Sequence, residues 1–246
     1  MLRRRAGSFG AVFGAALMTL HACAADSNAD TPSGSGDVEV AAGATVGPDA
    51  TELLRSAVGV RAGGCSLVET IGTGAVVADQ GTVVTVAHTL AGADTVVVID
   101  ADGTEHAATV TSFDPGADLA ALSVPTLDAP PLALGTDRVG PARALRWRPD
   151  SGIELLEVDI TRRLAITIED IYLEREVRRS GMELAAEIEV GDSGGPVIDD
   201  AGRVVGIVYA NSRSRPRVGF ATDATEIDAV LAAGRPGVAA STQRCR

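Results

Sequence analysis

Short apolar runs separated by turn residues recur along the chain from about residue 51 to residue 237. Runs of this length, broken by Ala-Asp-Gly and Asp-Pro-Gly turns, are typical of antiparallel β-strands. The first set of runs covers 58–60, 74–78, 82–87, 95–99, 107–111 and 119–124. The second set covers 144–147, 155–160, 164–168, 183–188, 195–198, 204–209 and 218–221. The pattern therefore predicts an all-β protein.

Two stretches depart from this pattern of short strands. Residues 125–141 are rich in proline and polar residues, which predicts a connection that crosses between the two sets of strands. Near the end of the chain, Ile227, Val230 and Leu231 recur at helical spacing between residues 225 and 233. Gly234 and Pro236 then follow as stop signals. We therefore expect a short C-terminal helix.

The N-terminus has the pattern of an export signal. Arginines at positions 3–5 precede an apolar stretch at 9–20, which is short for a helix that crosses a membrane. The segment at 20–23 resembles a bacterial lipobox, which would lipidate Cys23, although the same region also fits ordinary signal cleavage. We expect residues 1–23 to be a signal or lipoprotein leader of a protein exported from a bacterial cell. The mature protein is then membrane-anchored through Cys23, periplasmic or secreted.

The segment after the leader has the composition of a flexible tether. Residues 24–50 are rich in Ala, Gly, Ser, Asp and Pro and contain no aromatic residue. Such a segment cannot bury enough apolar surface to offset the entropy of ordering, so we expect it to be disordered. Residues 51–246 then form the folded domain.

The charge of the chain restricts its partners. The formal net charge is −12 at pH 7, and removal of the leader arginines makes the mature form more acidic. Phosphate binding needs a basic surface, so a nucleic-acid partner is not expected. The sequence also lacks the spacing of metal ligands, and no cofactor is implied.

The cysteine count suggests a disulfide. The chain has three cysteines, and lipidation of Cys23 would leave Cys65 and Cys245 as a pair. An oxidising compartment would favour a bridge between them. The alternative is two free thiols.

The candidate nucleophile lies in the hexamer Gly-Asp-Ser-Gly-Gly-Pro at 191–196. Its glycines let the backbone turn sharply, and they let a substrate carbonyl approach Ser193. A serine hydroxyl needs a neighbouring base, most often a histidine, to take its proton. His88 ends a buried-strand pattern in an Ala-His turn, whereas His106 follows an Asp-Gly turn and is predicted to be solvated. His21 lies in the leader.

A carboxylate should orient this histidine and stabilise its charged form. Asp118 opens the apolar run 119–124, so its side chain can point inward while the strand packs behind it. Asp114 precedes Pro-Gly and is predicted to be a turn residue. Asp128 lies in the proline-rich connection. The preferred candidates therefore follow one another along the chain in the order His88, Asp118 and Ser193.

The hexamer, the Val-Ala-His segment at 86–88 and the order of the three residues resemble trypsin-like (chymotrypsin-fold) serine proteases. Segments at 102–120 and 218–221 make the likeness closer to bacterial HtrA-type and MarP-type peptidases, here without a PDZ domain. The resemblance implies two six-stranded antiparallel β-barrels, at about 51–130 and 131–222, followed by the C-terminal helix. It also implies an active site in the cleft between the barrels.

The resemblance implies the chemistry as well. His88, Asp118 and Ser193 would form a catalytic triad that hydrolyses protein or peptide substrates, with the backbone amides of Gly191 and Ser193 as the oxyanion hole. The alternative is a catalytically silent binding or sensing protein on a protease fold. Glu187, six residues before the serine, would line the specificity pocket and favour Arg or Lys.

Two further expectations come from the same resemblance. The placement of Cys65 and Cys245 resembles the MarP-type arrangement and implies that the two are bridged. The chain has no evident activation site before the first barrel, so a new N-terminus is not available to pair with Asp192. That aspartate is instead expected to be exposed, or paired with a nearby arginine such as Arg213, Arg215 or Arg217.

Overall fold

The computed structural model describes residues 49–246 except Ser66, Asp79, Gln80, Asp137 and Pro236. The predicted leader at 1–23, with the candidate lipidation site Cys23, lies outside the described residues, as does nearly all of the predicted tether. Within the described part of the chain, no helix is both long and apolar enough to cross a membrane.

The first half of the described chain forms a seven-stranded antiparallel sheet in the order β5-β4-β1-β2-β3-β7-β6. Its strands are β1 (Ala57–Gly63), β2 (Thr70–Ala78), β3 (Thr82–Thr85), β4 (Thr95–Ile99), β5 (Glu105–Ala107), β6 (Thr109–Asp114) and β7 (Leu119–Ser123). Helix α1 (Ala50–Arg55) precedes β1, and the one-turn helix α2 (Ala87–Leu90) follows β3.

The second half forms a closed ring of strands in the order β10-β13-β12-β11-β8-β9. Its strands are β8 (Gly140–Arg148), β9 (Gly152–Glu169), β10 (Glu176–Ala185), β11 (Pro196–Ile198), β12 (Val204–Asn211) and β13 (Val218–Asp223). Helix α3 (Ala224–Ala233) follows β13, where Asp223 caps its first turn by accepting hydrogen bonds from the amides of Thr225 and Glu226.

The predicted fold class is confirmed: the described chain is mostly β, with two sheets and a short C-terminal helix. The first sheet differs in detail, because it is a seven-stranded half-barrel, not a closed ring of six strands. Its edge strands β5 and β6 are separated in sequence by Ala108 alone. The shortest common hairpin loop has two residues, so these neighbours cannot fold back on each other to close the ring.

Strand β9 unites two of the predicted runs, 155–160 and 164–168. The residues between them, Thr161, Arg162 and Arg163, include no glycine or proline that would make a turn. A register shift between Glu183 and Leu184 of β10 accommodates the extra residue of β9. The two runs therefore belong to one strand with a bulge, and not to two strands.

Helix α1 is an element that the sequence analysis missed. Asp49 caps it by accepting a hydrogen bond from the Glu52 amide at 2.7 Å. Leu53 is 1% exposed and packs in the core. The start of the helix at Ala50 means that the last residues of the predicted tether belong to the folded part.

One apolar cluster joins the two sheets. Its buried members come from both sheets, α1 and α3, and include Leu53, Ala57, Leu119, Leu145, Ile207 and Ile227. Two further clusters fill the first sheet and the ring separately. Because burial of each large aliphatic side chain contributes about 1.5–3 kcal/mol, the shared cluster holds the two sheets in a fixed relation.

The C-terminal tail returns to the first sheet through a disulfide between Cys65 and Cys245, whose Cα atoms are 5.5 Å apart. Thr242 fixes the tail beside it, since its carbonyl accepts from the Gly92 amide at 2.9 Å and its hydroxyl donates to the Ala93 carbonyl at 3.0 Å. In the chain-entropy model, a closed loop of this length contributes about 5 kcal/mol at most.

Candidate active site

His88 lies in α2, directly after strand β3, and its side chain is 19% exposed. Its backbone amide donates to Asp118 Oδ1 at 2.9 Å. Its ring Nδ1 lies 2.8 Å from Asp118 Oδ2. Asp118 therefore holds both the backbone and the imidazole of His88, and this leaves Nε2 available on the other side of the ring.

Asp118 is 4% exposed and directly precedes β7. Its φ is +59°, in the left-handed region that costs a non-glycine residue about 1 kcal/mol or more. Its carbonyl accepts from the Ala87 amide at 3.2 Å. The contacts with Ala87 and His88 offset this strain and fix the carboxylate against α2.

The loop before Asp118 is held from the second sheet by Arg179 of β10, which is 5% exposed. Its guanidinium donates to the Gly116 carbonyl, lies 3.5 Å from the Pro115 carbonyl and stacks 5.7 Å from the centre of the Tyr209 ring. A buried arginine is rare unless its donors are satisfied. The sequence analysis did not identify Arg179, because its partners are carbonyls in a distant loop.

Ser193 lies on the loop between β10 and β11, and it is partly exposed. Its carbonyl accepts from the Thr73 amide of β2 at 2.8 Å. The next residue, Gly194, has φ +92°, and a Cβ there would lie 1.8 Å from the Thr73 carbonyl. Only glycine fits at that position, so the loop can press Ser193 against the first sheet.

The serine loop and the histidine helix meet at Gly72 of β2. A Cβ added there would lie 2.9 Å from the Ser193 carbonyl and 3.2 Å from the hydroxyl of Thr89, the residue after His88. Of the three candidate residues, His88 and Asp118 are joined by a direct hydrogen bond. Within the described part of the chain, no hydrogen bond joins the Ser193 hydroxyl to His88. Such bonds are often long in a site without substrate.

The amides of Gly191 and Ser193 are available for a ligand. Neither donates a hydrogen bond within the described chain. Gly191 has φ +97°, and its carbonyl accepts from the Thr73 hydroxyl at 2.8 Å. The carbonyl is therefore turned into the protein, towards Thr73.

Asp192 is buried, at 2% exposed, and pairs with arginines of β8. Arg148 lies 2.6 Å from its Oδ1, Arg146 lies 3.9 Å from its Oδ2, and the Glu189 amide donates to Oδ2 at 2.8 Å. Arg148 also pairs with the Glu189 carboxylate at 2.9 Å. Burial acts to lower the pKa of Arg148, but the contacts with Asp192 and Glu189 outweigh it and raise that pKa.

Of the two predicted environments of Asp192, exposure is wrong and pairing with an arginine is confirmed, although the arginines are not the ones named. It is not exposed, and the cations come from 146 and 148, not from 213, 215 or 217. Alternation along β8 places Arg146 and Arg148 on one face of the strand, while Trp147 between them points into the interior at 7% exposed. Arg215 pairs instead with Glu183 at 2.7 Å.

A cavity of about 400 Å³ lies beside the serine loop. It is lined on one side by residues 186–190 and on the other by Asn211, Ser212 and residues 215–218. Glu187 is exposed on this lining. Hydrogen bonds from Arg215 and Arg162 lower the pKa of the neighbouring Glu183 to about 2, so Glu183 is ionised and its charge is neutralised by these two arginines.

The rejected candidates also have definite places. His106 is not solvated as predicted: its side chain is 10% exposed, with Nε2 3.0 Å from Asp100 and Nδ1 2.9 Å from the Thr126 hydroxyl. Asp114 accepts from the amides of Gly116 and Ala117, which is the geometry of a turn residue. Within the described ranges, no group of three His, Cys, Asp or Glu side chains could hold a metal.

Comparisons with known proteins identify the family to which this fold and site correspond. Residues 72–207 match the model of the trypsin-like peptidase domain. The chain is 35% identical over 165 residues to serine protease Rv3671c of Mycobacterium tuberculosis. The aligned region covers 65% of this chain and 41% of that protein. It is 30% identical over 157 residues to a probable periplasmic DegP-like serine endoprotease of Pseudomonas fluorescens, covering 62% and 32%. The chain thus spans less than half the length of these relatives.

Solved structures of proteases also resemble this fold. The active form of the Rv3671c protease from M. tuberculosis superposes with a TM-score of 0.74 at 30% identity, covering 79% of this chain and 87% of that one. The HtrA-type protease AlgW, solved with a tripeptide, superposes with a TM-score of 0.63 at 23% identity, covering 75% of this chain and 63% of that one. The second likeness concerns the fold alone.

The ion pair of Asp192 with Arg148 leads to a prediction about stability. The substitution Arg148→Met keeps much of the side-chain volume but leaves a buried carboxylate with a weaker partner. Breaking a buried pair in this way costs about 3 kcal/mol. Urea unfolding of the full chain should show that loss. Arg143→Met, on the same strand and without a carboxylate partner in the described chain, should cost about 0.5 kcal/mol or less. Equal losses for the two variants would contradict the assignment.

Proposed function

Because the chain belongs to the trypsin-like peptidase family, we propose that it is a serine endopeptidase that hydrolyses peptide bonds through an acyl-enzyme. The observation that carries the proposal is the contact of the buried Asp118 carboxylate with Nδ1 of His88 at 2.8 Å. A carboxylate in this place orients the ring and stabilises the imidazolium that forms during the reaction. The adjoining loop supplies a serine and two unused amides.

In the proposed reaction, Ser193 Oγ attacks the scissile carbonyl carbon while His88 Nε2 takes the hydroxyl proton. The tetrahedral oxyanion accepts hydrogen bonds from the amides of Gly191 and Ser193, each worth about 10²–10³ in rate. His88 then gives its proton to the leaving amine, and the C–N bond breaks. Water attacks the acyl-enzyme by the same route in reverse and releases the second product.

The oxyanion loop is proposed to be set without a proteolytic activation step. Asp192 already has a cation in Arg148, so no new α-amine is needed to pair with it. Ala57 and Val58 are 0% exposed within β1, and α1 precedes them, so a cut there would break packed structure. A protease with this arrangement is competent once it has folded.

Specificity is proposed to depend on Glu187. Of the carboxylates around the cavity, Glu189 is paired with Arg148, and Glu183 is paired with Arg215 and Arg162. Glu187 has no charged partner within the described chain, so its charge remains for a substrate. A basic side chain, Arg or Lys, is the complement of this position.

The protein is proposed to act outside the bacterial cytoplasm. Its disulfide would persist in an oxidising compartment, and the relative from Pseudomonas fluorescens is named as periplasmic. The leader at 1–23 and lipidation of Cys23 belong to the same proposal. Substrates are peptides or proteins that can reach that compartment.

The triad assignment predicts the effect of single substitutions. Ser193→Ala and His88→Ala should each lower hydrolysis of a denatured protein substrate by about 10⁴-fold or more, because nucleophile and base act as one unit. His106→Gln should leave turnover roughly unchanged. Loss of activity in His106→Gln with retention in His88→Ala would contradict the assignment. A folded wild type that cleaves neither peptides nor esters would favour a silent binding or sensing protein. A wild type that cleaves esters but not peptides would favour an esterase.

The specificity assignment predicts a change in preference. In a peptide library, the wild-type chain should cleave after Arg or Lys in preference to Leu. Glu187→Gln should reduce that preference about 3- to 10-fold, since one exposed charge pair is worth roughly 1 kcal/mol. Glu157 is also an exposed carboxylate but lies on β9, so Glu157→Gln is the matched control and should not change the preference. An unchanged preference in Glu187→Gln would exclude Glu187 as the determinant.

A further inference from the structure

Thr73 of β2 lies at the contact between the first sheet and the serine loop, and it is 0% exposed. Its amide donates to the Ser193 carbonyl at 2.8 Å, and its own carbonyl accepts from the Thr85 hydroxyl at 2.7 Å. Its hydroxyl lies 2.8 Å from the Gly191 carbonyl and 2.9 Å from the Trp147 amide. Every polar group of this residue is thus engaged.

The direction of the hydroxyl proton is determined by its partners. The Trp147 amide can only donate, so the Thr73 oxygen accepts there. A threonine hydroxyl has one proton, which is therefore left for the Gly191 carbonyl. The hydroxyl connects strand β8 to the serine loop in one defined orientation.

This orientation acts on the peptide that lies between the two candidate oxyanion donors. The Gly191 carbonyl belongs to the peptide that joins Gly191 to Asp192. The amide of Gly191 lies just before that peptide, and the amide of Ser193 just after it. Because peptides are planar and rigid, fixing the middle one limits the rotation of both neighbours. Gly191, with φ +97°, would otherwise have unusual freedom to rotate.

We propose that Thr73 is a positioning residue for the oxyanion hole, whose hydroxyl holds the Gly191 carbonyl inward so that the amides of Gly191 and Ser193 face the substrate. The role rests on the proposed function, since it concerns the hydrolytic step at that same site. Thr73 touches no substrate atom and acts through the loop. Preorganised donors of this kind stabilise the transition state more than the ground state, so the effect should fall on kcat.

The hydroxyl can be removed with little change of shape. Thr73→Val retains the branched side chain and the backbone hydrogen bond to Ser193 but removes the proton that Gly191 accepts. Thr73→Ser retains the hydroxyl and is the rescue variant. Thr222→Val is the matched control, because Thr222 is also 0% exposed and its hydroxyl donates to a strand carbonyl, that of Ile207 at 3.4 Å.

The kinetic test measures peptide hydrolysis by the full chain. Thr73→Val should lower kcat about 10- to 100-fold with KM changed less than about threefold, whereas Thr73→Ser and Thr222→Val stay near the wild type. Should Thr73→Val fail to fold, Thr73→Ala removes the same hydroxyl with less crowding and is measured instead. A folded hydroxyl-free variant with wild-type kcat would overturn the proposal, as would a loss that Thr222→Val reproduces.

A second readout does not depend on activity. In ¹⁵N-labelled protein, the amide signals of Gly191 and Ser193 should shift or broaden in the variant without the Thr73 hydroxyl. They should keep their wild-type positions in Thr73→Ser and Thr222→Val. If the wild type hydrolyses nothing, the proposed function fails while these signals still decide the role of Thr73. Unchanged signals in Thr73→Val would overturn that role.

Discussion

Buried polar groups at the contact between the two sheets must find their partners across that contact, and the site depends on this requirement. Thr73 of the first sheet joins Ser193, Gly191 and Trp147 of the second half. Arg179 of the ring donates to the carbonyls before Asp118 in the first sheet. An unsatisfied buried donor or acceptor costs about 1–3 kcal/mol, so each contact resists separation of the halves.

The same requirement explains how His88, Asp118 and Ser193 are held. His88 comes from α2 and Asp118 from the residue before β7, while Ser193 comes from the loop before β11. Each part is fixed by its own sheet and by a residue of the opposite sheet. The shared apolar cluster supplies the bulk of the packing, and the polar contacts supply the orientation. Asp192 adds an internal ion pair with Arg148 beneath the serine loop.

The sequence predicted the local elements and the Cys65–Cys245 bridge well, but it predicted several other long-range partners poorly. Apolar periodicity and turn residues indicated most strands and α3, and the motifs around His88, Asp118 and Ser193 indicated which residues could meet. The cation beside Asp192 was predicted among arginines near in sequence, although strand alternation in β8 brings Arg148 from a distance. Nothing in the sequence indicated the proposed role of Thr73, because a lone threonine in a strand is common. That role depends on the contacts of Thr73 with β8 and the serine loop, which are distant in sequence.

The central claim is that His88 activates Ser193 as a nucleophile. The most direct measurement is the site of reaction with a fluorophosphonate, which reacts with an activated serine hydroxyl far faster than with an ordinary one. Intact mass followed by peptide mapping should show a single adduct on Ser193 in the folded wild-type chain. The adduct should form far more slowly when Asp118 is replaced by asparagine, since the orienting carboxylate is then lost. Absence of an adduct from the folded protein, or an adduct on another residue, would contradict the account.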